Sequence, residues 1–456
     1  MADTPAPQRP KHPKNLRRAA GQVLAAIDRG KTLDEADDRL DGLAPRERAL
    51  ARAMVMMCLR HYGEIDYLLR PYLKKPIPPR PHIAKALLYL GVTQICYMET
   101  ADHAAVGETV NACGRQEKPY RGLINAVLRN LSRAAEHQDP RPQQPHLNAP
   151  DWMYAQWEED YGSEMAANIA RQHCQQPPLD LTFKSSAQAQ NWGEALKSDW
   201  PDMRVTQLTP NQVRLWHAPR VDQLPGFDQG DWWVQDFAAS LPAIGLTAAL
   251  QQAHKNTDKK TGLKVLDLCA APGGKTLQLA AAGFDMTALD ISETRLARLK
   301  DNLARTKLSA KLICADAMSW QATERFDAIL LDAPCSASGT IRRHPDLPRH
   351  RRPGYVKKLI KLQDSLLHQA CQWLAPGGLM IYGTCSLDTQ EGEARIKAFL
   401  AQQPDMTQIS LSPYLPERAI EQALVQADGS LRTTPAHMIE AGGMDGFYAA
   451  LLTKKI

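Results

Sequence analysis

The chain has 456 residues and 44% of them are hydrophobic, which leaves room for about two to four domains at roughly 100–200 residues each. No apolar run approaches the roughly 18 residues that a membrane helix needs, and the polar, Pro-rich stretch at residues 1–14 does not resemble a signal peptide. We therefore expect a cytoplasmic protein. The nine cysteines include no CxxC or CxxxC pair, so neither a bound metal nor a disulfide framework is expected.

Positive charge is unevenly distributed along the chain, whose net charge is +5. Residues 1–133 carry 22 Lys and Arg against 14 Asp and Glu, and residues 342–361 carry eight basic residues and one acid. Two basic segments fit a polyanionic partner, although a solvated surface is an alternative explanation. The arginines of the second segment that we expect to contact phosphates are Arg342, Arg343, Arg351 and Arg352.

The N-terminal part of the chain is predicted to be helical. After a disordered tail at residues 1–14, apolar residues recur at helical spacing from Leu16 to Ile27, and similar segments follow up to residue 139. We interpret residues 15–139 as one all-α bundle. Four prolines within residues 140–150 then predict a linker, because proline is excluded from helix interiors and from central strands.

The rest of the chain contains strands as well as helices. Residues 151–260 are predicted to form an intermediate α+β region, with one helix at 150–174 and short strands at LDLTFK and WWVQDF. In residues 261–456, helical stretches alternate with the apolar strands LKVLDL, MTALDI, AKLICAD, FDAILLDAP and GGLMIYGTC. This alternation predicts a doubly wound α/β domain with a mainly parallel sheet.

A tight turn, DLCAAPGGKT, follows the first strand of this α/β domain and precedes a helix. Such a turn aims backbone N–H groups at a ligand. A phosphate-binding P-loop would need glycine where Cys269 stands, and the GxGxxG pattern of a dinucleotide site is absent. The remaining ligand is S-adenosylmethionine, whose loop must be tight but need not hold a pyrophosphate.

Acidic residues end the first three strands of the domain. Asp290 follows Asp267 by 23 residues and can accept both ribose hydroxyls of a nucleoside, and Asp316 ends the third strand, where it can meet the adenine edge. The alternative is that these residues are helix N-caps, a position that aspartate also favours.

Two cysteines follow neighbouring strands, Cys335 in DAPCS and Cys385 in TCS. Because the carboxyl ends of parallel strands share one edge of a sheet, both thiols should face one cleft. A thiolate that adds to carbon 6 of cytosine makes carbon 5 nucleophilic enough to take up a methyl group. Asp332 is placed to stabilise that adduct near ring nitrogen 3, and Lys275 to lower the pKa of a thiol or to hold the substrate.

These stretches, together with ALDIS, CADA, LLDAPCSASGTIRRHPD, TCSLDTQEGE and GGMDGFYAALL, resemble the NOL1/NOP2/Sun family of RNA 5-methylcytosine methyltransferases over residues 262–456. The helical region resembles the NusB-type RNA-binding fold. The resemblance implies a NusB-like bundle followed by a Rossmann-like class I methyltransferase domain. It also implies that S-adenosylmethionine is the cofactor and that carbon 5 of a cytosine in small-subunit (16S) ribosomal RNA is methylated through a covalent adduct.

The family resemblance also assigns roles to individual residues. It implies that Cys385 is the nucleophile and that Cys335 assists its release, with Asp332 and Lys275 beside them. The residues that it implies at the cofactor site are Cys269, Ala270, Ala271, Pro272, Gly273, Gly274, Lys275, Asp290, Asp316 and Asp332.

Three other functions fit the sequence less well. A non-catalytic RNA-binding protein would need a broken cofactor loop or a lost cysteine, and both are intact. An NTPase or a dehydrogenase would need the glycines that are missing around Cys269. A DNA cytosine methyltransferase would use the Pro-Cys cysteine alone and leave Cys385 idle. We therefore expect ribosomal RNA as the partner of a monomeric enzyme, with residues 151–260 also contacting RNA.

Overall fold

The computed structural model describes residues 15–78, 82–98, 100–195, 200, 203–255 and 262–456. The predicted disordered tail, residues 1–14, lies outside this described part of the chain. The described residues fall into two compact units. The first unit comprises residues up to Ala155 together with His173–Gln175 and His344–Arg351, and the second comprises Gln156–Gln172, Gln176–Arg343 and Arg352–Ile456. No helix in the described residues is long and apolar enough to cross a membrane.

The first unit is helical, and its elements are α1 (Leu16–Ile27), α2 (Leu33–Ala36), α3 (Pro45–Arg60), α4 (Tyr62–Leu69), α5 (His82–Cys96), α6 (Asp102–Asn111) and α7 (Arg121–Ala135). Local sequence signals start these helices. The side chain of Asn15 accepts a hydrogen bond from the backbone N–H of Arg18 and caps α1. Thr32 and Glu35 form a reciprocal capping box at the start of α2.

Helix α5 is the centre of the helical unit. It contacts α1, α3, α4, α6 and α7. Its run ALLYLGV is apolar around the whole circumference of the helix, and Leu87, Leu88 and Leu90 are completely buried. A helix that is apolar on every side is stable only when neighbours surround it, which explains why the other helices pack around α5.

The helix predicted at residues 150–174 is two helices, α8 (Asp151–Tyr161) and α9 (Ser163–His173). The break lies at Gly162, whose φ of 79° is in the left-handed region that ends a helix. The prediction of one continuous helix was therefore wrong, because the apolar periodicity continues across Gly162, where the backbone conformation ends the helix.

The second unit contains a small antiparallel sheet whose strands are ordered β2-β3-β1-β4. Its elements are β1 (Leu179–Phe183), α10 (Ser186–Ala195), β2 (Arg204–Thr209), β3 (Gln212–Trp216) and β4 (Trp232–Val234). Asp180 and Arg214 face each other in the register of β1 and β3, and both of their side chains are fully buried as an ion pair. The sheet precedes α11 (Phe237–Ala253), which Asp236 caps.

The large sheet of the second unit has the strand order β10-β12-β9-β8-β5-β6-β7, with β11 paired to β12. The strands are β5 (Lys264–Leu268), β6 (Asp285–Asp290), β7 (Lys311–Cys314), β8 (Phe326–Asp332), β9 (Leu374–Thr384), β10 (Met406–Ile409), β11 (Leu431–Thr433) and β12 (Phe447–Lys454). The helices are α12 (Gly274–Ala281), α13 (Glu293–Thr306), α14 (Leu347–His350), α15 (Tyr355–Trp373), α16 (Glu393–Gln402) and α17 (Glu417–Glu421), of which α14 belongs to the first unit.

Strands β7, β6, β5, β8 and β9 are parallel, and the three last strands pair antiparallel beyond β9. Separate apolar clusters are built around the sheet, one containing Phe237, Leu241 and Leu246 of α11 and one containing Leu366, Leu367 and Ala370 of α15. The predicted doubly wound, mainly parallel domain is therefore confirmed. Its carboxyl-terminal strand edge collects the loops that follow β5, β6, β7, β8 and β9, where such sheets bind ligands.

Candidate active site

The turn between β5 and α12 is held in a shape that requires glycine. Gly273 has a φ of 107°, and a Cβ atom there would lie 2.1 Å from Leu299 Cδ1. The backbone N–H of Ala270 donates to Leu289 O at 3.1 Å, which fixes the turn against β6. The segment from Cys269 to Gly273 is therefore a rigid loop at the carboxyl end of β5.

Asp290 ends β6 and is 2% exposed. Its carboxylate accepts hydrogen bonds from the backbone N–H groups of Ala271 and Ser292, at 3.1 and 2.9 Å. The guanidinium of Arg295 lies 3.5 Å from the same carboxylate. Asp290 is not the N-cap of the following helix, because Ser292 caps α13. The structure thus joins Asp290 to the loop after β5.

Asp316 lies two residues beyond the end of β7 and is exposed. Its carboxylate accepts from the backbone N–H of Met318 at 2.9 Å and shapes a turn. The expectation that the third strand itself ends at Asp316 is corrected to Cys314, because the chain turns after that residue. Asp316 remains at the carboxyl edge of the sheet.

Asp267, in β5, is a buried acid to which the family resemblance assigns no role. Thr276 donates a hydrogen bond to its Oδ2 at 2.5 Å, whereas its buried Oδ1 accepts none from the described residues. Burial raises the pKa of Asp267 to about 7. An unsatisfied buried acceptor beneath the loop is suited to a donor on a bound ligand. The sequence shows an acid near the end of this strand. It does not show that one of the carboxylate oxygens receives no hydrogen bond from the described residues.

Lys275, in the first turn of α12, forms an ion pair with Asp332 at the end of β8. The Lys275 Nζ lies 2.8 Å from a carboxylate oxygen of Asp332 and 4.8 Å from the ring centroid of Phe447. Burial alone would lower the pKa of Lys275, but the Asp332 carboxylate raises it above its ordinary value. Lys275 is therefore a fixed cation, and Phe447 is a neighbour that the sequence did not single out.

Cys335 and Cys385 are brought together by the parallel pairing of β8 and β9, in which Asp332 is the register partner of Gly383. Their Sγ atoms lie 3.4 Å apart. The hydrogen bond with Cys385, and then burial, raise the pKa of Cys335 well above its ordinary value. Both residues are only partly buried, so the pair is not enclosed in the core.

Two of the four predicted RNA-contacting arginines lie in an ion-pair network. The guanidinium of Arg342 is 2.9 Å from Asp236 and 2.6 Å from Asp445, and its side chain is 1% exposed. Arg343 pairs with the same two carboxylates at 2.6 and 2.9 Å. The prediction that Arg342 contacts phosphate is therefore wrong, because its charge is enclosed by protein carboxylates, and most of the charge of Arg343 is likewise neutralised.

The other two predicted RNA-contacting residues are more accessible. Arg351 is half-buried in the first unit, and Arg352 is exposed in the second. Arg349, a further arginine of the same basic segment, pairs with Asp28 at 3.3 Å and lies over the ring of Tyr62 within the first unit. Of the basic run, only part is thus available for contacts outside the protein.

Two protein-family models match the chain. The model for 16S rRNA methyltransferase RsmB/F matches residues 253–453, and the NusB family model matches residues 14–133. Ribosomal RNA small subunit methyltransferase B of Vibrio vulnificus (strain YJ016) is 33% identical over 454 residues, which is 97% of this chain and 100% of the relative. The protein of the same name from Pseudomonas putida (strain KT2440) is 36% identical, over 96% of this chain and 98% of the relative.

Solved structures share the fold. The crystal structure of PH0851 covers 98% of this chain and 100% of its own, with a TM-score of 0.72 and 23% identity. A methyltransferase homologue from Pyrococcus horikoshii covers 68% of this chain and 97% of its own, with a TM-score of 0.53 and 25% identity. The predicted architecture, a NusB-like bundle followed by a Rossmann-like methyltransferase domain, is confirmed.

The strand order, the loop after β5 and the relatives define the protein as a class I methyltransferase. Because relatives more than 30% identical match almost the whole chain, the chain belongs to the Ribosomal RNA small subunit methyltransferase B family. The predicted family resemblance and the predicted enzyme class are both confirmed.

Proposed function

We propose that this enzyme transfers a methyl group from S-adenosylmethionine to carbon 5 of a cytosine in small-subunit (16S) ribosomal RNA. The observation that carries the proposal is the pair of thiols, Cys335 and Cys385, 3.4 Å apart beside the Lys275–Asp332 ion pair. Methylation of an amine or of a hydroxyl needs no thiol nucleophile, whereas carbon 5 of cytosine does. The names of the relatives supply the ribosomal RNA substrate.

The residues around the loop after β5 fit S-adenosylmethionine, which supplies an electrophilic methyl group when bound. The buried, unsatisfied Oδ1 of Asp267 suits a cationic donor, and Gly273 allows the loop to turn tightly against Leu299. We assign Asp290 to the ribose and Asp316 to the adenine. The residues proposed to hold the cofactor are Cys269, Ala270, Ala271, Pro272, Gly273, Gly274, Lys275, Asp290, Asp316 and Asp332.

Cys385 is the proposed nucleophile. Its sulfur adds to carbon 6 of the cytosine, and the electrons of the 5,6 double bond then make carbon 5 nucleophilic towards the methyl group. Asp332, held in place by Lys275 at 2.8 Å, acts as an acid that gives a proton to ring nitrogen 3, where the negative charge would otherwise collect. After methyl transfer, carbon 5 loses its proton to a base, the double bond reforms, and the bond between carbon 6 and Cys385 breaks.

Cys335 is the proposed base, and its neighbour controls when it can act. In the free enzyme the hydrogen bond with Cys385 is the largest cause of the raised pKa of Cys335, so Cys335 keeps its proton. Once Cys385 is bonded to carbon 6, it is a neutral thioether and this cause weakens. Cys335 can then release its proton to solvent, and the resulting thiolate accepts the proton from carbon 5.

The helical region at residues 15–139 and the intermediate region at 151–260 are proposed to bind the RNA around the target, joined by the linker at 140–150. Exposed basic side chains on α7 and at Arg352 support an RNA-facing role for both units. We also propose that the enzyme acts as a monomer in the cytoplasm, where bacterial ribosomal RNA is found.

The test is transfer of a tritiated methyl group from S-adenosylmethionine to purified small-subunit RNA, with DNA of the same sequence as the comparison. We expect label in RNA alone, at a cytosine that becomes resistant to bisulfite. Cys385→Ala should abolish transfer while cofactor affinity stays within about twofold, because the thiol acts only in chemistry. A Cys385→Ala enzyme that keeps more than a few per cent of the turnover contradicts the assignment.

A further inference from the structure

We propose that Glu391 is a positioning residue for the two catalytic thiols. Its carboxylate ties the residue after Cys335 to the residue after Cys385, and so fixes the separation of the sulfurs. The inference rests on the proposed roles of the two cysteines, and it extends them to a fully buried side chain next to both cysteine loops.

The Glu391 side chain bridges the two cysteine loops directly. The residue is 0% exposed. The backbone N–H of Ser336, next to Cys335, donates to both carboxylate oxygens, at 3.0 and 3.1 Å. The hydroxyl of Ser386, next to Cys385, donates to Oε2 at 2.6 Å. One carboxylate therefore holds the neighbour of each thiol.

Four further hydrogen bonds close this arrangement. Gln363, in α15, donates its Nε2 to Glu391 Oε1 at 2.9 Å and to Pro334 O at 2.9 Å, so the Cys335 loop is held on both sides of the cysteine. The hydroxyl of Tyr382, in β9 before Cys385, donates to the backbone oxygen of Glu391 at 2.8 Å. The Ser336 and Ser386 hydroxyls are themselves 2.9 Å apart.

The chemistry of these contacts indicates that the Glu391 carboxylate is needed for the directions in which it accepts hydrogen bonds. Burying a carboxylate is costly unless donors surround it, and the four donated hydrogen bonds to Glu391 come from neutral groups. An apolar residue could fill the same volume without that cost. A carboxylate, unlike an amide, offers acceptors in every direction, so it is the side chain that satisfies an N–H on one loop and an O–H on the other.

Glutamine at position 391 would place an NH₂ group against one of these donors. The Ser386 hydroxyl can turn and accept from that NH₂ group, but the Ser336 N–H donates to both oxygens and so meets the NH₂ group in either orientation of the amide. The loop at Ser336 must then move away, and the thiols lose their alignment. A displacement of about 1 Å at a reacting group costs on the order of 100-fold in rate. We expect Glu391→Gln to lower kcat by about that factor and to leave the KM for RNA and for the cofactor nearly unchanged.

The rate of disulfide formation between Cys335 and Cys385 measures the alignment of the two thiols without RNA or cofactor. Diamide takes two hydrogens from a pair of nearby thiols and leaves a disulfide, which mass spectrometry of the linked peptides identifies as Cys335–Cys385. In the full-length enzyme we expect this disulfide to form about tenfold more slowly in Glu391→Gln than in wild type, because its rate depends on sulfur alignment.

The matched control is Glu117→Gln in the first unit. Glu117 is also a fully buried glutamate, and it accepts hydrogen bonds from Gly114 N and Arg18 Nη1, each at 2.8 Å. This control should lose stability but form the cysteine disulfide at the wild-type rate. Equal disulfide rates in Glu391→Gln and wild type would overturn the proposal, as would equal slowing in both glutamine variants.

Ser386→Ala provides a second test if Glu391→Gln does not fold. It removes the 2.6 Å hydrogen bond to Glu391 Oε2, together with the contacts of the same hydroxyl with the Ser336 hydroxyl and with the backbone N–H of Asp388. We expect a smaller slowing in the same direction. An unchanged rate in a folded Ser386→Ala enzyme would also overturn the proposal. If wild type shows the fast disulfide but methylates no RNA, the proposed function fails while the role of Glu391 as a positioning residue stands.

Discussion

The guanidinium of Arg342 lies 2.9 Å from the carboxylate of Asp236, the residue that caps α11. Asp236 also accepts the backbone N–H of Ala238 at 2.8 Å and that of Asp445 at 3.1 Å. Burial alone would raise the pKa of Asp236, but Arg343 and Arg342 hold it well below its ordinary value. The segment after Cys335 is thereby joined to the start of α11 and to the loop before β12.

We predict that Arg342→Met lowers the free energy of unfolding by about 3–5 kcal/mol, because it removes one of the two cations that balance the buried carboxylates of Asp236 and Asp445. Urea unfolding measures this loss. Arg352→Met, the matched control at an exposed position, should leave stability within about 0.5 kcal/mol. For RNA binding we expect the opposite pattern. The slope of log affinity against log salt concentration should fall by about 0.7–0.9 in Arg352→Met and stay unchanged in folded Arg342→Met. A reduced slope in the Arg342 variant would show that Arg342 contacts an RNA phosphate.

Cys335→Ala should stop the reaction after methyl transfer. Without the proposed base, carbon 5 keeps its proton and the bond between carbon 6 and Cys385 cannot break. We expect an RNA–protein adduct that survives denaturing electrophoresis, and no adduct in the Cys335→Ala, Cys385→Ala double variant. Free turnover by the single variant would show that Cys335 only packs, and an adduct without Cys385 would reverse the two roles.

Asp267 predicts a pH dependence of stability. Since burial raises its pKa to about 7, the folded protein binds a proton that the unfolded chain, with a pKa near 3.8, has released. This contribution is fully present below about pH 4 and is lost as the pH rises through about 7. Asp267→Asn mimics the protonated form, so its unfolding free energy should fall less between pH 4 and pH 8 than that of wild type. Parallel pH profiles would contradict the shift.

The exposed arginines of α7 predict a phosphate-binding face on the first unit. Arg129 and Arg133 form no ion pair with an acid in the described residues, whereas Arg48 and Arg52 on α3 are paired with Asp37. Replacing Arg129 and Arg133 by Gln should weaken binding to small-subunit RNA and reduce the salt slope by about 1.4–1.8 in total. Replacing Arg48 and Arg52 is the control, since their charge is already balanced, and a comparable change there would remove the distinction.

The sequence predicts the sheet and the thiol pair because both follow from local patterns. Short apolar strands alternate with helices, and parallel strands bring their ends to one edge, so Cys335 and Cys385 could be paired from their motifs alone. Arg342 could not be placed in the same way, because its partners Asp236 and Asp445 are each about 100 residues away in the chain. A basic run in the sequence does not show which of its charges are balanced by distant acids.

Other features that the sequence did not predict also depend on the folded chain. The short strands β2 and β3 were not predicted, and the pairing of β3 with β1, which carries the buried contact of Asp180 with Arg214, is seen only in the folded chain. The break at Gly162 depends on a backbone conformation that the apolar periodicity does not reveal. Glu391 lies in the TCSLDTQEGE motif, but only the folded chain shows that its carboxylate reaches Ser336, 55 residues earlier.

The first unit includes His344–Arg351, a segment that lies far downstream of its helices in the chain. The ribosome therefore synthesises the helices well before this part of the unit. Within that unit, Asp346 accepts the backbone N–H of Leu33 at 2.9 Å, and Arg349 lies over the ring of Tyr62. At translation rates of about 5–20 residues per second, the helices leave the ribosome roughly 10–40 s before this segment. During that interval the bundle must persist without two of its contacts, so a nascent chain stalled before residue 344 should be cut by protease within the helical region faster than the finished protein.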